Sequence, residues 1–298
     1  MKKALQAAAF LLFIAFTIPF ALMPLVLSKK AGRGAGAILY ALWKSRRIIA
    51  IENIKNSLVD FKDKNGIPLP PKTIALESFK NLGESIAELI KIYYGMQKKV
   101  LKSVRVEGIE RLKRRDKGII LITGHTGNWE LLALASTSNV GNIGVVARPF
   151  GNPYINNFIE KARSKNGNYP IYKKGALRKI LSALKDKGIV GILMDQAVVE
   201  AEGLLIDFLG RPAWTTKTPA IIANRTKAAV HPLFIHREGS GHIIKIYPEV
   251  QITGDELKDT ITLSAYIEDY IKENPTEWLW IHKRWKRTEG QGKSAEVK

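Results

Sequence analysis

Gly118-Ile119-Ile120-Leu121-Ile122-Thr123-Gly124-His125-Thr126-Gly127-Asn128-Trp129-Glu130-Leu131-Leu132-Ala133-Leu134-Ala135 decides how the rest of this chain is read. Residues 119–123 are apolar and largely β-branched between two glycines, the pattern of a buried strand. The Leu- and Ala-rich run after Trp129 favours helix. His125 and Glu130 stand between the two, where α/β folds place their ligands close to unpaired N–H groups of a helix start.

Five positions along a continuous helix would set His125 and Glu130 roughly 140° apart, so they can meet only across a turn. Thr126-Gly127-Asn128 supplies one: Gly127 permits an unusual φ, and Asn128 can cap a helix whose first turn carries Glu130. A capping box does not account for Glu130, since the residue three before it is Gly127. The plain reading is a satisfied loop histidine plus a glutamate favoured by the helix dipole. The chemical reading is an acid/base dyad, with His125 as base, Glu130 as its orienting carboxylate and backbone N–H groups near Gly127-Asn128 as oxyanion donors.

The whole chain narrows the choice. Its 298 residues suffice for one large domain or two small ones. A net charge of +20 implies polyanionic partners: nucleic acid, an anionic membrane or an acidic carrier protein. The absence of cysteine excludes disulfides, thiolate metal sites and a cysteine nucleophile. Residues 4–27 carry no charge and are long enough to span a hydrocarbon core. With no small-x-small site before Ser28, the segment reads as an uncleaved anchor rather than a signal peptide, and Pro19 and Pro24 leave a re-entrant insertion open. Lys29, Lys30, Arg33, Lys44, Arg46 and Arg47 follow it while only Lys2 and Lys3 precede it, which places the bulk of the protein in the cytoplasm.

Residues 31–100 read as helical, with 46–59 and 72–95 clearest and Pro68-Leu69-Pro70-Pro71 as the break. Ile74, Phe79, Leu82, Ile86, Leu89, Ile90 and Tyr93 form an apolar stripe on the second helix. Beyond Lys102, strands at 104–106, 119–123, 144–147, 189–194, 204–208, 230–236 and 243–247 alternate with helices at about 128–138, 153–165, 175–186, 217–226 and 257–273. The fold class is α/β: a mixed, largely parallel sheet flanked by helices, preceded by an N-terminal hydrophobic membrane-anchor helix. The chain divides into an anchor (1–28), a helical membrane-proximal region (29–100), an α/β domain (101–287) and a flexible tail (288–298).

Arg148, just after a strand, could hold a phosphate, and Asp195 and Gln196 end another strand. In a parallel sheet these ends share the rim of His125. Arg211, Trp214 and Thr215 follow a turn and could border a groove, while Lys173, Lys174 and Arg178 suit a solvated face. Trp278, Trp280 and Trp285 alternate with cations, which suits an interface with indoles at headgroup depth, or nucleic-acid stacking. His231, His236 and His242 lack metal-ligand spacing, so no metal is expected.

The block Gly124-His125-Thr126-Gly127-Asn128-Trp129-Glu130 resembles the His-x4-Asp/Glu motif of membrane glycerolipid acyltransferases, specifically the bacterial lipid A biosynthesis acyltransferase family. Four further blocks resemble that family in order: Val146-Ala147-Arg148-Pro149 with Asn152-Pro153; Gly191-Ile192-Leu193-Met194-Asp195-Gln196; Phe208-Leu209-Gly210-Arg211-Pro212-Ala213-Trp214-Thr215; and Pro275-Thr276-Glu277-Trp278-Leu279-Trp280-Ile281-His282-Lys283-Arg284-Trp285-Lys286. Two departures stand out: Ala197-Val198-Val199 where relatives often carry acids, and Leu209 in place of a second Phe.

The resemblance implies transfer of a fatty acyl chain from acyl carrier protein to a hydroxyl of a membrane glycolipid at the inner membrane. The dyad would be His125 and Glu130, with Arg148, Asn152, Asp195, Gln196, Arg211, Trp214 and Thr215 at the substrates. Neither a cofactor nor a nucleic-acid partner is expected. Acceptors from lipid A precursors to phosphatidylinositol mannosides stay open, as do a hydrolase with the same dyad and a non-enzymatic basic binding protein.

Overall fold

A computed structural model describes residues 2–59, 61–63, 66–113, 116–165, 167–172 and 175–288, with Asn139 described only in its backbone. Helices α1 (Lys2–Leu22), α2 (Leu25–Leu42), α3 (Lys44–Ser57), α4 (Pro71–Tyr93) and α5 (Gln97–Leu101) precede the sheet. Then follow β1 (Val104–Glu107), β2 (Ile119–Thr123), α6 (Trp129–Val140), β3 (Ile143–Ala147), α7 (Pro153–Lys165), β4 (Asn168–Tyr172), α8 (Ala176–Lys185) and β5 (Ile189–Leu193). A hairpin, β6 (Gly203–Asp207) and β7 (Pro212–Thr216), leads to α9 (Thr218–Thr226), β8 (Ala229–Glu238), β9 (Gly241–Ile246) and α10 (Glu256–Glu273).

The main sheet has the order β1-β9-β8-β2-β5-β3-β4. Strands β8, β2, β5, β3 and β4 run parallel, and β9 pairs antiparallel with β8, so β9 and β1 point the other way. Each parallel step is bridged by a helix that must cover a face of the sheet, which explains why β2 is buried throughout. Its side chains alternate between two cores: Ile120 and Ile122 pack with α8, α9 and α10, while Ile119 and Leu121 pack with α6 and α5. Strands at 119–123 and helix 153–165 match the sequence reading to the residue, whereas β6 pairs only with β7, outside the main sheet.

The N-terminal helices are built onto this domain. A Cβ on Gly36 would lie 2.2 Å from the Phe79 carbonyl oxygen and one on Gly83 2.1 Å from that of Gly32, so α2 and α4 cross at backbone contact. This crossing turns the apolar stripe of α4: Ile86 is exposed, and Glu84, Glu88 and Lys91 are buried instead. Helix α1 is held at both ends. Asn152 donates to the Gln6 carbonyl at 2.8 Å, and the buried Lys91 ammonium donates to the Ala21 carbonyl at 2.9 Å and to that of Met23. Between them Phe10 and Phe13 pack against Tyr154 and Phe158 of α7, and the Thr17 hydroxyl meets that of Tyr94 at 2.8 Å. The opposite side, with Leu5, Leu11, Leu12, Phe16 and Leu22, is exposed and continues into Val26, Leu27, Ile38 and Leu42 of α2. Helix α1 is long and apolar enough to cross a membrane.

Candidate active site

Strand β2 ends at Thr123 and β5 at Leu193, side by side and parallel, so His125 and Asp195 emerge on one rim. The Asp195 carboxylate receives three hydrogen bonds. Its Oδ1 lies 2.8 Å from His125 Nδ1, while Oδ2 accepts from the His125 backbone N–H at 2.9 Å and from the Trp278 indole at 2.8 Å. Burial alone would raise its pKa. The His125 charge and the bonds from His125 and Trp278 outweigh that and hold the carboxyl well below the usual range. An ionised carboxylate is acceptor-only, so Nδ1 carries a proton towards it, and Nε2 is the nitrogen that offers a lone pair in the neutral tautomer. Gln196 Nε2 sits 3.2 Å from that atom as a donor, and 21% of the His125 side chain remains exposed.

The expected His125–Glu130 contact is absent among the described residues. Asn128 caps α6 through Leu131 N at 3.2 Å, and Glu130, in the first turn, points to α7. There it pairs with the Arg163 guanidinium and receives the Tyr93 hydroxyl at 3.4 Å. Burial opposes the charge on Arg163, yet the adjacent Glu130 carboxylate holds its pKa above the ordinary value. Nothing about an arginine eleven positions into a helix stretch singles it out in the sequence, and Arg163 was accordingly not foreseen. Of the N–H groups near Gly127-Asn128 expected to bind an oxyanion, that of Gly127 is already taken, since it donates to the Glu277 carbonyl at 2.7 Å.

That bond belongs to a short antiparallel strip in which Thr126 pairs with Trp278 and Leu279 N donates to the His125 carbonyl at 3.1 Å. The tryptophan-rich C-terminal block is thus core rather than interface: Trp278, Trp280 and Trp285 are all buried. Arg284, also buried, donates to the Trp214 carbonyl at 2.6 Å and to the Thr215 hydroxyl, with its guanidinium 4.6 Å from the Phe208 ring centre. Thr215 is buried, Trp214 half-buried, and Arg211 stacks 4.1 Å over Trp285, so these three brace the C-terminal block. Asn152 caps α7 through Tyr154 N at 2.9 Å as well as holding α1. Arg148 is exposed at the end of β3, beside β5 on the same rim. Arg178 lies exposed on α8, whereas Lys173 and Lys174 fall outside the described residues. Of the expected tail, Thr288 is buried and donates to the Pro212 carbonyl at 2.7 Å, and the remainder lies outside the described residues.

A histidine with a buried carboxylate on one ring nitrogen and only a glutamine amide among the described residues on the other, at the carboxyl rim of a parallel sheet, has the geometry that general-base chemistry requires. The family model described as bacterial lipid A biosynthesis acyltransferase matches residues 2–287, and the chain belongs to that family. It is 23% identical to a lipid A biosynthesis acyltransferase of Haemophilus influenzae over 89% of this chain and 86% of that one. It is 22% identical to the lipid A biosynthesis lauroyltransferase of Escherichia coli, over 90% and 88%. A phosphatidylinositol mannoside acyltransferase of Mycobacterium tuberculosis is 23% identical, over 78% and 75%.

Proposed function

We propose that the protein transfers a fatty acyl chain from acyl carrier protein to a hydroxyl of a membrane glycolipid, a lipid A precursor, on the cytoplasmic face of the inner membrane. The observation that carries this reading is the His125 ring, fixed through Nδ1 by the buried Asp195, with 21% of its side chain exposed and the Gln196 amide at Nε2. The acceptor hydroxyl takes the place of the Gln196 amide at Nε2 and attacks the thioester carbonyl. The C–O bond forms as the proton moves to Nε2; the C–S bond then breaks and Nε2 returns the proton to the leaving sulfur. Asp195 stabilises the imidazolium, and the displaced Gln196 amide becomes a donor for the oxyanion. Glu130 acts by fixing Arg163, while Arg148 on the same rim is the exposed cation for an acceptor phosphate.

The exposed apolar face of α1 and α2, with the +20 charge, supports a site held at an anionic membrane and open to an acidic carrier protein. The mycobacterial relatives support a second acceptor, a phosphatidylinositol mannoside. Membranes containing the protein, given acyl carrier protein charged with labelled fatty acid and each glycolipid in turn, decide between them. His125→Ala should lower label transfer by about 10²–10⁴-fold. Undiminished transfer would overturn the base assignment, and release of free acid alone would make the protein a hydrolase.

A further inference from the structure

A second ionic centre lies behind the histidine loop, near the carboxyl end of β8 and against α4. Glu88 of α4 receives both ends of the Arg237 guanidinium at 2.9 and 3.1 Å and His242 Nε2 at 3.0 Å, with Lys29 of α2 at 3.3 Å. Glu84, one turn away, pairs with Arg237, Lys29 and Arg33. Glu88 and His242 are almost wholly buried. Ion clusters of this kind seldom add stability beyond what packed apolar side chains would give, so their contribution is sought in what they hold in place.

What Glu88 holds is Asn128. The Asn128 Nδ2 donates to Glu88 at 3.0 Å while its Oδ1 accepts from Leu131 N, so a single buried side chain is clamped at both ends. On the other side of the loop, Gly127 donates to the Glu277 carbonyl, and the Glu277 carboxylate is held by the Arg237 backbone N–H at 3.1 Å and the Tyr270 hydroxyl at 2.8 Å. Gly127 has a φ of +52° and a Cβ there would lie 2.1 Å from the Ile235 carbonyl oxygen, so the loop has little room to adjust. These two fastenings of Gly127 and Asn128 converge on Arg237, one through its side chain and one through its backbone.

We propose that Glu88 and Arg237 are positioning residues that act through Asn128 to set the height of His125 and the start of α6 over the rim. The inference rests on His125 being the base. A displacement of about 1 Å at a reacting group can cost about 10²-fold in rate, so the clamp should appear in kcat rather than in KM.

The test uses the full-length protein in the acyl-transfer assay, with His125→Ala alongside. Asn128→Ser keeps an oxygen for the α6 cap but is too short to reach Glu88, and it leaves the ion cluster intact. Glu88→Gln loosens the clamp from the other end. Each should lower kcat about 10- to 100-fold with KM within about twofold, and the double variant should lose little more than either single one. Arg33→Gln, at the far edge of the cluster, should lower Tm and leave kcat unchanged. A wild-type kcat in Asn128→Ser overturns the inference even if Glu88→Gln fails to fold, and so does an equal fall in kcat for Arg33→Gln. Activity equal in wild type and His125→Ala removes the underlying reading, and the inference with it.

Discussion

Two histidines in this molecule sit on buried carboxylates, and they have different fates. His125 meets Asp195 at 2.8 Å and His242 meets Glu88 at 3.0 Å, and both carboxylates are 2% exposed. The histidines differ: 21% of the His125 side chain is exposed and 1% of that of His242. His125 follows the carboxyl end of a central parallel strand, where the chain must turn over the sheet edge. His242 starts β9, the strand that runs backwards, beneath α4. Both pairs lie at the same edge of the sheet, because His242 stands opposite Arg237 near the carboxyl end of β8, and it is the covering helix α4, not the strand, that closes the second pair off while the first stays open.

Exchanging one atom of Asp195 should break the comparison most sharply. In Asp195→Asn the His125 and Trp278 N–H groups pin the amide oxygen at the Oδ2 position, which leaves the NH₂ facing Nδ1. The ring must then carry its proton on Nε2 and can no longer accept one there. The rate of acyl transfer should fall by about 10²–10⁴-fold with Tm little changed, and raising the pH should not restore it. Recovery at high pH would show that Asp195 acts by charge alone. Truncation at the second pair should cost the fold as well as the rate. Glu88→Ala leaves Arg237 buried with less compensating charge, and should cost about 3–5 kcal/mol in chemical denaturation; a smaller loss would mean that Glu84 or water replaces the missing partner.

The smallest effect concerns His282, in the C-terminal block. Burial is the main cause that lowers its pKa to about 4; Asp195 opposes the shift and a charged His125 adds to it. Because the folded imidazole binds its proton more weakly than the ordinary 6.5, the unfolded chain protonates first as the pH falls. Stability is therefore full above about pH 6.5 and declines towards pH 4. His282→Gln should flatten Tm against pH in that window, and an unchanged slope would assign the acid loss to other groups.

The legible part of the fold followed from local pattern. Strand β2, bounded by glycines, and α7, opened by Asn152-Pro153, were readable because period, cap and breaker agreed. The rim was readable as well, since parallel strands bring His125, Arg148 and Asp195 to one edge. The partner of His125 was not. Chain proximity favoured Glu130, whereas the sheet brings in Asp195 from 70 positions away. Tryptophans interleaved with cations carry the same signature at a membrane surface and in a core where one arginine is buried with them, so the position of Arg284 could not be read. Glu84 and Glu88 were hidden by the apolar stripe of their helix, which is turned by a glycine contact with α2 that hydropathy does not register.

The fastening of α1 has a practical corollary for anyone wishing to handle this protein in water. Trimming a greasy leader is the usual route to a soluble enzyme, and here removal of α1 would strip the Ala21 carbonyl from the buried Lys91 ammonium and uncover Phe158 and Tyr94. The shortened chain would trade a lipid-seeking helix for a lipid-seeking wound a few residues from Arg163. Helix α1 is a wall of the house as well as its mooring rope.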